Sequence, residues 1–408
     1  MPNDERPAFS RRSLLLGAAA LGAGSTLAKG ATQESPDFST VDPYLTTQEK
    51  FRDVSRGKPL PHSLPPEKKV EAGLTRETWK LEVVSDPEHK ADVRNPMTRE
   101  NGKALDWEGL MRLAEKCSVS FLKIMTCNNI GRPLGMGLWE GVPLREVVWM
   151  ADPRENLRRV FYYGFHNNDP KQMFRSSLPV GRILEDPPGL PPVILCFRLN
   201  GQFLAPERGG PVRILVPEAY GFKSVKWLTH VVLTNLHGAN DTYADENNDV
   251  DSPLKTFARV LSVPKEAKAD QPIPVLGLAQ VGISGLSKVQ VWACRADEAW
   301  PAEDKYFTGA PWKDAEILPP PATWGGGFPD GKLPGTPLGF DPETGKPKRW
   351  PLPLAKAHWS ARLPGLPEGK YLLRCRSIDA NGIAQPLPRP FPKSGRALIE
   401  QTEFVVKG

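Results

Sequence analysis

Residues 197–227 read FRLNGQFLAPERGGPVRILVPEAYGFKSVKW, and the organisation of the chain can be worked outward from this run. Asn200-Gly201 is a two-residue turn of the kind that closes a β-hairpin, so VILCFRL (193–199) and QFL (202–204) are expected as its strands. VRILV (212–216) and SVKWLTHVVL (224–233) are expected as two further strands from their β-branched content. Arg208, Arg213, Lys223 and Lys226 stand among Gly209, Gly210 and Gly221. Glycine lets backbone N–H groups approach a ligand, and fixed cations attract negative charge, so the run is a candidate seat for a phosphate-bearing anion. Upstream, residues 125–139 read MTCNNIGRPLGMGLW and hold Cys127 in a glycine-rich loop. One thiolate facing an anion seat suits a soft metal carried by an anionic cofactor.

The motifs around these residues resemble the sulfite oxidase family of molybdenum enzymes. The Asn/Gly-rich sequence after Cys127 leads to Trp139-Glu140-Gly141-Val142-Pro143-Leu144, then to Ser177-Leu178-Pro179. Asn200-Gly201, Gly210-Pro211-Val212-Arg213 and Ser224-Val225-Lys226-Trp227 follow in the family's order. A weaker likeness continues through Asp379 and Gln385-Pro386. The resemblance implies molybdenum held by a single pterin dithiolene (molybdopterin) and by the thiolate of Cys127. It implies that Arg213, Ser224 and Lys226 hold the pterin phosphate, with Lys223 as a further candidate. Arg132 matches a family arginine near the substrate anion, and Arg56 faintly resembles another. Two positions depart from the pattern. Phe174 stands where sulfite-oxidising members carry tyrosine, and Arg208 replaces the histidine before Gly-x-Pro.

At 408 residues and 39% hydrophobic composition, the chain can fill two domains with real cores. Its 44 prolines favour short strands and ordered loops over long helices. A net charge of +6, with no dense basic stripe interleaved with aromatics, fits a small anion better than a nucleic acid. Arg11-Arg12 before a short Leu/Ala/Gly-rich stretch resembles a twin-arginine export signal over residues 1–31, and the stretch is too short for a stable membrane span. A protein that folds around a buried cofactor before export needs a route for folded cargo, so a periplasmic address is expected. The five cysteines form no CxxC pair and no CxxCH, so neither a zinc or iron–sulfur framework nor a covalently attached haem is expected. Cys117 and Cys196 lie on apolar patterns and are read as core; Cys294 and Cys375 lie on expected strands and are read as buried, not bridged.

Residues 32–75 are expected to wrap the surface of the first domain. Trp79, Leu81 and Val83 alternate as in a strand, and Asp106 can cap a helix carrying Trp107, Leu110, Met111 and Ala114 on one face. A strand at about Val119–Met125 should deliver Cys127, and Pro143 suits the first turn of a helix over LREVVWM. From residue 271, VLGLAQV, SKVQVWAC, GKYLLRCRSID and TEFVVK are short alternating strands of the β-sandwich kind. The expected fold is therefore α+β: a mixed α/β molybdopterin-binding domain over 32–245, a linker over 246–270, and an immunoglobulin-like sandwich over 271–408. In the resembled family that sandwich is a dimerisation domain.

The function these features imply is oxygen-atom transfer, with sulfite oxidation first and reduction of an S-oxide second. With no haem in the chain, electrons would pass through a separate carrier such as a c-type cytochrome. A secreted β-sandwich binding protein that has lost catalysis is the reading from a different class, and the set Cys127, Arg213 and Lys226 argues against it.

Overall fold

The computed structural model describes residues 43–127, 131–244, 249–386, 395 and 397–408. The export signal expected over residues 1–31 lies outside them. Strands β1 (Lys80–Ser85), β2 (Leu105–Asp106), β5 (Arg159–Gly164), β6 (Arg175–Pro179) and β10 (Leu228–Thr234) form one sheet in the order β2-β1-β10-β5-β6. β1 and β10 pair in parallel, and the other pairings are antiparallel. A second sheet runs β3 (Val119–Met125), β4 (Gly135–Pro143), β7 (Ile194–Leu199) and β8 (Gln202–Phe203), with β9 (Arg213–Leu215) on β7. Among the described residues four short α-helices accompany them: α1 (Pro66–Glu71), α2 (Trp107–Cys117), α3 (Leu144–Met150) and α4 (Val180–Leu184).

Local chemistry accounts for several of these elements. Asp106 begins α2 by accepting from the Gly109 amide at 2.9 Å, which satisfies one of the donors a helix start leaves unpaired. Pro143 ends β4 and sits at the N-cap of α3. Asn200 and Gly201 both take positive φ (52° and 76°), the conformation a two-residue hairpin between β7 and β8 requires. Val83, Tyr162 and Val231 of the first sheet meet Val142, Leu195 and Phe197 of the second in one core, all fully buried. Each such side chain contributes about 1.5–3 kcal/mol on burial.

The C-terminal strands are β11 (Phe257–Ser262), β12 (Glu266–Lys268), β13 (Ile273–Gln280), β14 (Lys288–Arg295), β15 (Lys313–Ile317), β16 (Lys356–Leu363), β17 (Gly369–Ile378) and β18 (Gln401–Lys407). They form one curled sheet, β11-β13-β16-β15-β14-β17-β18-β12, in which β15 pairs with both β14 and β16. Its core holds Val275, Val289, Val291, Trp359, Leu373 and Phe404. The α+β class with a sandwich-like C-terminal part is as the sequence implied.

Three segments differ from expectation. The stretch 246–270 is no mere linker, because β11 lies within it and pairs along β13. Tyr44, Leu45 and Phe51 are buried rather than superficial. Tyr44 and Leu45 join Leu122 and Ile124 of β3 and Trp324, Phe340 and Leu354 from the long connection between β15 and β16. Thus the C-terminal part covers the strand that leads to Cys127, and Ile124 N donates to Leu354 O at 2.7 Å. Finally, Ser224–Trp227 is not strand: it follows a 3-10 turn, Gly221–Lys223, and Trp227 takes φ 52° before β10 begins.

Candidate active site

β3 carries the chain out of the second sheet to Thr126 and Cys127, and Leu134 N donates to Met125 O at 2.7 Å where the chain returns. The cationic run comes alongside. Gly221 N donates to Thr126 O at 2.8 Å, and a Cβ at Gly221 would lie 3.1 Å from Met125 Sδ. A side chain at Gly221 would have to push the Met125 side chain aside by a few tenths of an ångström. Gly209 has φ +95° and ends the 3-10 turn Pro206–Arg208; a Cβ there would stand 2.7 Å from Lys226 Cγ. A cavity of about 370 Å³ opens between these segments. Its lining includes Cys127, Phe174, Arg208, Arg213, Ser224 and Lys226.

Contacts divide the lining into two groups. In the first, Arg213 Nη1 donates to Arg208 O at 2.9 Å and Nη2 to Ser224 O at 2.5 Å. The Ser224 hydroxyl oxygen accepts from Val216 N at 3.1 Å. Lys226 Nζ reaches Asp53 Oδ1 (2.8 Å), Ser55 Oγ (2.6 Å) and Glu207 O (2.6 Å). Burial lowers Arg213 to about 10; burial, then the charge of Arg213, lowers Lys226 to about 8. Burial alone would raise Asp53, but hydrogen bonds from Lys226 and Ser55 outweigh it and hold the carboxyl near 2. Among the described residues, Arg208 Nε and Arg213 Nε are buried with no hydrogen-bond partner. Three crowded cations with two unpaired donors are costly to bury unless an anion joins them.

In the second group, the Arg56 guanidinium lies 4.8 Å from the Phe174 ring centroid and 5.4 Å from that of Tyr243, and it donates to the Tyr243 hydroxyl. Phe174 and Tyr243 meet edge to face at 5.5 Å, and Phe222 approaches Tyr243 at 6.3 Å. Tyr243, Asp53 and Phe222 were not singled out by the sequence reading. Tyr243 is the one aromatic in the polar stretch 237–253, and that contrast was the available signal.

Two residues expected at the site lie elsewhere. Lys223 does not line the cavity. Its ammonium is fully buried, 2.7 Å from Asp241 and 2.8 Å from Ser177 O, and Asp241 also accepts from Ser176 and Ser177. Ser177-Leu178-Pro179 thus anchors the wall through this pair. Arg132 is exposed and outside the lining. The other cysteines take structural places: Cys196 and Cys375 are buried, Cys117 and Cys294 half-buried, and no disulfide forms.

A family model described as the oxidoreductase molybdopterin-binding domain matches residues 70–241, which carry most of this cavity. Over 116 residues the chain is 27% identical to mitochondrial sulfite oxidase of Drosophila melanogaster, covering 28% of this chain and 19% of that protein. Residues 70–241 thus resemble the molybdopterin-binding domain of the sulfite oxidase family of molybdenum–pterin oxidoreductases. Within that family, the catalytic subunit MsrP of a protein-methionine-sulfoxide reductase from Ralstonia nicotianae is 27% identical over 284 residues, 60% of this chain and 78% of its own. The sulfane dehydrogenase SoxCD from Paracoccus pantotrophus shares the fold with a TM-score of 0.56 at 17% identity, over 80% of this chain and 76% of that one. The fungal nitrate reductases that the chain also matches are covered over only 11% of their length. The residues fit the family's cofactor: a roomy cavity, unpaired guanidinium nitrogens and a cysteine in the lining.

Proposed function

We propose that this chain is a mononuclear molybdenum oxidoreductase that moves an oxygen atom to or from the sulfur of a small substrate, and that the substrate carries an apolar group, as an organic S-oxide does. The observation that carries this reading is the group Arg56, Phe174, Tyr243 and Phe222 on one cavity. One guanidinium set against two rings, with Phe222 beside the second, suits an S–O dipole attached to an apolar body. A compact dianion such as sulfite would give up its water against those rings at greater cost. The long match to a methionine-sulfoxide reductase subunit supports the same choice.

In this reading Cys127 is the protein's ligand to the molybdenum, and Arg208, Arg213, Ser224 and Lys226 hold the phosphate of a single molybdopterin. The bound group supplies the oxygen transfer and its two-electron redox change. The chain supplies the rest: Arg56 orients the S–O group by charge-assisted hydrogen bonding, while Phe174 and Phe222 receive the apolar part and displace water. Electrons come from or go to a separate carrier, for which a c-type cytochrome is our proposal. Export by the twin-arginine route and pairing through the C-terminal sandwich are proposals of the same standing. Sulfite oxidation is the second reading, favoured by the match to sulfite oxidase. Steady-state kinetics of metal-replete protein with a panel of alkyl and aryl sulfoxides and with sulfite test the choice. Sulfoxide turnover well above that of sulfite is expected; efficient turnover of sulfite alone overturns the reading.

A further inference from the structure

Cys127 is held from the C-terminal part of the molecule as well as from its own sheet. Thr126, the preceding residue, is 1% exposed, and its hydroxyl donates to Gln280 Oε1 at 2.5 Å. Gln280, at the end of β13, is fully buried, and its Nε2 donates to Lys255 O at 2.8 Å. The Thr126 carbonyl accepts from Gly221 N, so one residue ties together the cysteine, the cationic run and the sandwich. On the other side of Cys127, Arg259 of β11 donates from Nη1 to Gly131 O at 3.3 Å, while its Nη2 lies 3.4 Å from Glu400 Oε2. β11 and β13 are themselves paired, with Phe257 opposite Gln280.

We propose that Gln280, assisted by Arg259, is a positioning residue for Cys127, so that the C-terminal sandwich sets where the cysteine's sulfur stands. The physical basis is the burial of the polar contacts. Thr126 Oγ1 and Gln280 Oε1 have no water to turn to, and a buried amide that has lost its partner pays its full desolvation cost. The main chain at 126 can therefore shift only at the expense of that bond. A sandwich that served solely to join two copies of the chain would not need a fully buried glutamine bonded beside the cysteine. The inference rests on the reading of Cys127 as the molybdenum ligand.

The test uses the full chain made with and without its cofactor, and follows alkylation of each cysteine by iodoacetamide with mass spectrometry. In cofactor-free protein, Gln280→Met and Thr126→Val are expected to change the Cys127 rate about fivefold, the factor one ordinary hydrogen bond represents. Thr126→Ser, which keeps the hydroxyl, should stay near wild type. Cys196 and Cys375 should remain protected throughout. If Gln280→Met also exposes those two, the Thr126→Val and Thr126→Ser pair decides. In loaded enzyme, Gln280→Met should lower kcat with little change in KM. Wild-type rates at Cys127 in both Gln280→Met and Thr126→Val overturn the positioning role. Equal alkylation of Cys127 in loaded and cofactor-free wild-type protein would instead overturn the ligand reading on which it rests.

Discussion

Replacing Asp241 by alanine removes the counter-charge of a lysine that has no route to water. Lys223 Nζ is 0% exposed, 2.7 Å from the carboxylate and 2.8 Å from Ser177 O. Without Asp241 the ammonium keeps only the Ser177 carbonyl and the Phe222 ring, 5.7 Å away at its centroid, and breaking a buried pair from one side costs about 3–5 kcal/mol. Lys223→Met should cost a similar amount, because the carboxylate is 2% exposed and keeps only the two serines as donors. The double variant retains neither charge. Its loss should therefore be close to that of one single variant, a coupling of about 3 kcal/mol. Urea unfolding of the four proteins measures the cycle, and molybdenum per folded chain is determined alongside. Since Lys223 does not line the cavity, the double variant should keep its metal. Additive losses would show that the pair is not coupled. Loss of metal from a folded double variant would return Lys223 to the cofactor's contacts and refute the reasoning.

Cys127→Ser should remove the thiolate ligand and abolish turnover with the fold intact, since a hydroxyl is a harder and weaker donor. Cys196→Ser, at a buried thiol that burial pushes up to about 12, should cost packing alone; equal loss of activity at both sites would contradict the assignment. Lys226, lowered to about 8, must be protonated to attract an anion. Binding of pyrophosphate to cofactor-free protein should thus be fully present below that pH and weaken as pH rises through it, by at most about tenfold per unit. Calorimetry should show the slope disappear in Lys226→Met. Phe174→Tyr adds a polar group to the aromatic wall and should raise KM several-fold for an aryl sulfoxide with little effect on sulfite; unchanged kinetics with both would mean that Phe174 does not meet the substrate.

Much of the fold is written locally. The Asp106 cap, the Asn200-Gly201 hairpin and the strand that ends before Cys127 depend on neighbours in sequence, and each stands where its pattern puts it. Ser224–Trp227 misled because Val225 and Trp227 have strand propensity. Close packing of Lys226 against Gly209 and Gly164, a long-range contact, keeps the segment out of the ladder. Most of the charge-bearing lining was legible from cations spaced among glycines. Lys223 was not, because its partner Asp241 is distant in pattern though near in space. Tyr243 reaches the cavity, and Asp53 reaches Lys226, from segments that carry no motif, and the link from Thr126 to Gln280 spans 154 positions. Such contacts exist only once the sheets have packed.

The central claim, one molybdenum on one pterin bound through Cys127, is tested most directly by stoichiometry. Full-length protein made in a molybdate-replete host is assayed for metal by elemental analysis and for pterin after oxidation. The account predicts about one of each per chain, with turnover kept by Cys196→Ser and lost from Cys127→Ser. Metal far below stoichiometry in the wild-type protein, or full turnover in Cys127→Ser, would contradict it.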